Sequence, residues 1–297
     1  MVVHNFSYGL LNPGLGYAMS CLGAFLGLRC VTRARAYTGF GRARWLILAS
    51  VALGATGIWT MHFIAMLGYS IPGQQITYNV PLTIASMLIA IAVVGVGLFI
   101  VGFGNGGWLP LLTGGFIVGI GVATMHYLGM AAMSMPVSVH YDAGLFILSV
   151  VIAIVAGTAA LWAGTRVRGI GATIGASLIM GVAVSGMHYT GMAAMQVTPG
   201  PMPTMSGSTA FSFLVPLLLG VSLVTFVLTL TISLSPTEDE INQDAVLQNR
   251  IDTQFPAAQT TAAQTPAAQS SGTAQSPGTA QRSGPSGSLW SKPPRVG

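Results

Sequence analysis

Hydrophobic positions in this chain do not alternate, and they do not recur on one face only. They come as long apolar runs separated by short polar gaps. Runs of about 20 residues, the length a helix needs to cross hydrocarbon, extend approximately over residues 13–31, 45–68, 80–102, 109–133, 143–164, 170–195 and 211–234. Backbone groups inside a bilayer must find hydrogen bonds within their own segment, and no run shows the two-residue period of a barrel strand, so each is predicted to be a helix. Pro13, Pro81 and Pro110 fall at predicted helix starts, where a missing N–H is harmless, whereas Pro216 is expected to kink the last run. The predicted fold is all-α, a polytopic transmembrane bundle of about seven helices.

Composition strengthens this reading. Of 297 residues 52% are hydrophobic and only 6% charged, with a mean hydropathy of +0.71, against about 25% charged residues in a soluble domain. Before Ser235 the charged residues are seven arginines and Asp142. Arg29, Arg33, Arg35, Arg42 and Arg44 are expected to fill the first connection, and Arg166 and Arg168 the fifth. Both connections lie on one side of a seven-span chain, so the positive-inside rule places the N-terminus outside and the C-terminus in the cytoplasm. A net charge of +5 could suggest nucleic acid, but arginines confined to short gaps between apolar runs are topology signals, and no nucleic-acid partner is expected. Cys21 and Cys30 are too few and too badly placed for a disulfide framework. Residues 1–12 lack the basic start of a cleaved signal peptide and are read as an external segment.

Beyond the membrane domain, residues 13–235, the character changes. Residues 236–297 are rich in Ala, Gln, Thr, Pro, Ser and Gly, a composition that cannot bury a core, so a disordered cytoplasmic tail is expected. It shows no catalytic output domain, and no set of residues suited to hydrolysis or phosphoryl transfer appears elsewhere, so no enzyme is expected. The pairs Gly115/Gly119 and Gly171/Gly175 predict close helix packing.

The even-numbered runs repeat a motif: Met61-His62-Phe63-Ile64-Ala65-Met66, Met125-His126-Tyr127-Leu128-Gly129-Met130 and Met187-His188-Tyr189-Thr190-Gly191-Met192, the last two continuing to Met133 and Met195. The near-constant spacing makes the unit a helix pair repeated three times. On a helix the Met four residues after each His lies one turn along the same face, and Met133 and Met195 are expected to prolong that stripe. Counting from the arginines, the three histidines reach the outer boundary, as do His4 and His140. Imidazole with thioether suits copper, Cu(I) especially. Two histidines could instead hold a haem, and a histidine could serve as a protonation switch. Ordinary packing accounts for Met19, Met87 and Met180. The candidate metal ligands are His62, His126 and His188, assisted by Met61, Met66, Met125, Met130, Met133, Met187, Met192 and Met195.

Met187-His188-Tyr189-Thr190 spells the motif of the MHYT domain, and residues 17–234 resemble that family of integral membrane sensors. The resemblance implies motif histidines near the outer face of the cytoplasmic membrane, a bound copper, and sensing of a diatomic gas or redox state. Phe63 replaces the family's Tyr in the first copy, which is expected to contribute more weakly. Members often continue into a cyclase, phosphodiesterase or kinase domain, so a cytoplasmic signalling partner is expected here beside the lipid bilayer. A metal-handling transporter and a haem-binding redox protein stand as alternatives.

Overall fold

The computed structural model describes residues 7–72, 75–135, 137–200, 207–235 and 238–254. Seven helices are long and apolar enough to cross a membrane: α1 (Leu11–Ala36), α2 (Gly39–Met66), α3 (Val80–Phe103), α4 (Trp108–Ala131), α5 (Ala143–Arg166), α6 (Ile170–Ala194) and α7 (Ser212–Leu234). The chain is thus a multi-pass membrane protein whose helices follow the apolar runs. Asn79 and Asp142 cap α3 and α5, accepting from the backbone N–H of Leu82 and Leu145. Pro216 sits in the first turn of regular α-helix in the last span, just after a π-helical turn, Ala210–Leu214.

Six helices close a ring. Neighbours in sequence pack together from α1 to α6, and α6 returns to α1. The seventh lies outside the ring against α1 and the middle of α2, where the Thr56 and Thr225 hydroxyls meet at 2.8 Å. Close approach depends on missing side chains. A Cβ on Gly23 of α1 would overlap the backbone of Gly57 in α2, and one on Gly119 of α4 would overlap Ile154 of α5. Gly115 meets Thr158 in the same seam, but Gly171 and Gly175 face open space, so the second small-residue pair does not pack as expected.

Two further expectations change. The first connection shrinks to residues 37–38, because α1 and α2 extend to take in all five arginines. Extension satisfies the guanidiniums: buried Arg33 donates to the carbonyls of Ile232 and Ser235 at the end of α7, and its charge lies 5.5 Å over Trp45. Those carbonyls have no partner within their own helix and carry the negative end of its dipole. The connections at the end away from the arginines, in turn, are partly strands. β1 (Thr77–Tyr78) pairs antiparallel with β2 (Met133–Ser134) and with β5 (Ser208–Thr209), while β3 (Val137–Tyr141) pairs with β4 (Met195–Pro199). Each of the three connections at this end therefore contributes to a shared lid. Burial pushes the Tyr78 phenol in that lid above its usual range and, together with the neighbouring Tyr141, pushes Tyr69 up to about 12.

The bundle lies in a compact unit, Met1–Asp244, and Ala245–Gly297 forms another. Within the stretch expected to be irregular, Glu238–Gln254 forms helix α8. It contains neither Gly nor Pro, and Gln248 donates to Asp252 one turn on, a local pairing that supports a helix. Residues 255–297 lie outside the described residues, as does His4.

Candidate metal centre

Each motif histidine stands within the last two turns of its helix, at the end that the strands cover. The N-terminus of α1 is tied to the same end, since the Asn12 amide donates to the Ile64 carbonyl and the Ser7 N–H to that of Gly68. The α2 helix arrives through an eight-residue π-helical segment, Ala52–Trp59, entirely buried, which shifts the register of everything after it. Such segments inside α-helices are frequent at functional sites. Trp59 is held by its indole N–H, which donates to the Ser86 hydroxyl of α3, and its ring packs 4.6 Å from Phe63.

The three imidazoles meet on the axis of the ring. Their Nδ1 atoms form a triangle with edges of 3.1 Å (His62 to His126), 3.1 Å (His62 to His188) and 3.3 Å (His126 to His188). The rings stand nearly perpendicular to one another, at 80°, 84° and 88°, with centroids 4.9–5.1 Å apart. Each histidine is only 1% exposed. Among the described residues this is the one group of three or more His, Cys or carboxylate side chains that could share a metal ion. Asp142, the single acid of the membrane part, is engaged in capping α5.

Hydrogen bonding alone cannot satisfy this triangle. A neutral Nδ1 is either an N–H donor or a lone-pair acceptor, so with three members at least one edge joins two of a kind. A cation facing three lone pairs resolves the conflict, because it accepts from all of them. The size also suits a metal: a triangle with edges of 3.1–3.3 Å has its centre about 1.8 Å from each corner, close to the metal–imidazole bond of about 2.0 Å. A haem would instead take two axial nitrogens on opposite faces of a macrocycle, an arrangement different from three Nδ1 atoms 3.1–3.3 Å apart.

With Nδ1 inward, Nε2 of His62 and of His126 each points outward into the next repeat. A Cβ added to Gly129 of α4 would lie 2.5 Å from Nε2 of His62, and one on Gly191 of α6 would overlap Nε2 of His126. Gly129 and Gly191, the third residues after His126 and His188, thus each house the preceding repeat's imidazole. Neither Nε2 has a hydrogen-bond partner among the described residues. That contact between successive repeats was invisible in the sequence, where it shows only as Gly at matching positions.

The methionines are placed less uniformly. Met61 lies against Gly16 of α1. Met66, Met125, Met130 and Met192 are buried in the core, and Met187 lines a cavity below the histidines. Met133 and Met195 do not prolong a helical stripe: α4 and α6 end before them, and they pair as strand residues with Tyr78 and Tyr141. The connections at this end hydrogen-bond to each other, and strand pairing replaces the extra helical turn. His140 is exposed in β3 opposite Gln196. Tyr127 donates or accepts at 2.6 Å with the Ser149 hydroxyl of α5 and so helps to set the face that α4 turns inward.

Three helix pairs, one inward histidine per pair and a common centre constitute a repeat architecture. The family profile described as "MHYT: bacterial signalling protein N terminal repeat" matches residues 56–114, 119–176 and 181–240. The chain belongs to the MHYT family. It is 37% identical over 199 residues to the bifunctional diguanylate cyclase/cyclic di-GMP phosphodiesterase MucR of Pseudomonas aeruginosa, covering 65% of this chain and 29% of that protein. The cyclic di-GMP phosphodiesterase NbdA of the same organism is 36% identical over 200 residues, 65% of this chain and 25% of NbdA. The signaling protein YkoW of Bacillus subtilis is 31% identical over 192 residues, 61% of this chain and 23% of YkoW. The match thus covers less than a third of the length of each of these relatives. No solved structure matches this chain.

Proposed function

We propose that this MHYT domain is a membrane sensor module that holds copper through Nδ1 of His62, His126 and His188 and reports a diatomic gas or redox change to a cytoplasmic partner. The observation that carries the reading is the triangle of three buried Nδ1 atoms, which hydrogen bonds cannot satisfy. Copper suits three neutral nitrogens with no carboxylate in a site of low polarity, and it would supply a redox couple and an open coordination position for a small ligand. The residues themselves fix the geometry: the Gly129 and Gly191 recesses orient two of the rings, and all three imidazoles are buried. The buried methionines Met66, Met130 and Met192 are proposed as soft neighbours of the metal, with Met61, Met125, Met133, Met187 and Met195 as outlying support.

Metal analysis of the full chain purified in mild detergent, with its visible spectrum, tests this reading. Copper near one equivalent in the unaltered protein and none in the triple His→Ala variant is expected. Copper retained by that variant would overturn the site. The outward facing of the histidine end follows from the arginines at the opposite end. Reporter fusions after Ser206 and after Gln259 are expected to give opposite signals, and equal signals would overturn the orientation in the cytoplasmic membrane.

A further inference from the structure

One turn below the histidine triad, all six ring helices line a cavity of about 60 Å³. Its relation to the triad is systematic. Ile58, Val122 and Val184, each four residues before a motif histidine, all line it. Four residues is one helical turn, so the same inward face that carries the imidazoles continues down into the cavity wall. The odd-numbered helices complete the wall with apolar side chains, among them Ala24 of α1, Val94 and Leu98 of α3, and Ala153 of α5. Ser20 is the single polar side chain in the lining, and the walls contain no charge.

Two physical arguments follow from size and polarity. A water molecule is stable in a cavity only with about 2–4 polar partners, which this lining does not provide, and comparable apolar cavities stay dry. A cavity of roughly 150 Å³ is what benzene or xenon occupied in an engineered protein core; at about 60 Å³ this one suits a much smaller apolar guest than benzene. Helix packing in protein interiors normally closes such voids, because atoms lining an empty space forfeit dispersion contacts. A void centred on the repeat axis, lined by the equivalent residue of all three motif helices, matches a guest for the site above it.

We propose that this cavity is the ligand chamber of the sensor: a neutral apolar molecule of diatomic size resides among Ile58, Val122, Val184 and Met187, and reaches the histidine cluster from the bundle interior. The assignment rests on reading that cluster as the ligand-responsive centre. It differs from access through the strand lid, which would select for polar ligands arriving from water.

Xenon is a probe of the chamber that needs no metal. The full chain, metal-free in detergent and labelled with ¹³C at methionine methyls, is titrated with xenon under pressure. Saturable shifts are expected at Met180 and Met187, both in the cavity wall, with only weak, linear changes at other methionines. Val122→Phe should fill the space and abolish the saturable shifts, and Ala153→Leu provides a second filling variant should the first not fold. In copper-loaded protein the folded filling variant should bind copper fully yet lose at least tenfold in carbon monoxide affinity, read from the infrared stretch. Absence of saturable shifts at Met180 and Met187, or carbon monoxide affinity unchanged in a filled variant that no longer binds xenon, would overturn the chamber. Saturable xenon binding in a protein that takes up no copper would instead leave the cavity standing as a binding site and overturn the metal centre above it.

Discussion

At one end of the bundle Arg33, Arg35 and Arg42 reach carbonyls of Ile232, Ser235, Val167, Tyr37 and Gly102, most of them at helix ends, whereas at the other end three imidazoles turn away from every backbone group toward one another. The difference follows from chemistry. A guanidinium keeps its charge and offers five donors in a fixed fork, so it is stable in a membrane protein only where acceptors abound, and free carbonyls at helix C-termini supply them. A neutral imidazole can be fully buried, but its inward lone pair then needs a donor or a cation. The arginine end therefore works as a clamp between helices, while the histidine end holds three Nδ1 atoms whose donor and acceptor roles cannot all be matched by hydrogen bonds among themselves. Polar residues at matched depths in an apolar bundle thus serve two purposes that composition does not separate.

Substitutions that strike one end and spare the other sharpen this contrast. The largest effect is expected for His126→Ala, which removes one corner of the triangle: bound copper should fall at least a hundredfold in affinity while the protein still inserts, checked by metal analysis and a competition titration. Retention of full affinity would mean that two histidines suffice. Next is Gly191→Ala, whose Cβ would overlap Nε2 of His126; displacing a group that orients a ligand typically lowers metal affinity about 10–100-fold, and a decrease toward the lower limit is expected. Gly186→Ala on the same helix meets nothing within 4 Å and serves as the control.

The arginine clamp should respond in the opposite sense. Arg33→Ala removes charge-assisted bonds to the end of α7 and is expected to lower stability by about 2 kcal/mol, seen as a lower unfolding midpoint in detergent, with copper stoichiometry unchanged. Loss of copper with Arg33 would mean that the two ends are not separable. The smallest effect belongs to His140→Ala: this histidine is exposed on β3, and both the metal content and the unfolding midpoint should stay within error. A clear fall in copper would show that the lid supplies a ligand.

The seven spans were legible in the sequence because hydrocarbon imposes a single requirement, about 20 apolar residues in a self-bonded segment, and the runs beginning near Pro13, Val80, Ala143 and Ile170 satisfy it without ambiguity. The histidines were legible as candidates because the repeat singles them out. The strands of the connections at the histidine end were not, since two-residue pairings such as Thr77 with Ser134 depend on helix ends being brought together and carry no periodic signal of their own. Met133 and Met195 show the same limit: identical sequence context suggested another helical turn, and cross-connection hydrogen bonds decided otherwise.

What the sequence by itself determined is the class of the protein, its seven helices, the threefold repeat and the chemical types of the site, because each of these follows from local composition and spacing. Tertiary structure alone decided which atom of each imidazole faces inward, that Gly129 and Gly191 receive the rings of the preceding repeat, that Arg33 is buried against α7, and that six helices leave an apolar-lined cavity under the triad. The physical reason is that these are relations between helices. Burial in a bilayer fixes each helix separately, but rotation about its own axis is set by packing against neighbours, and that rotation determines whether three histidines face lipid or one another.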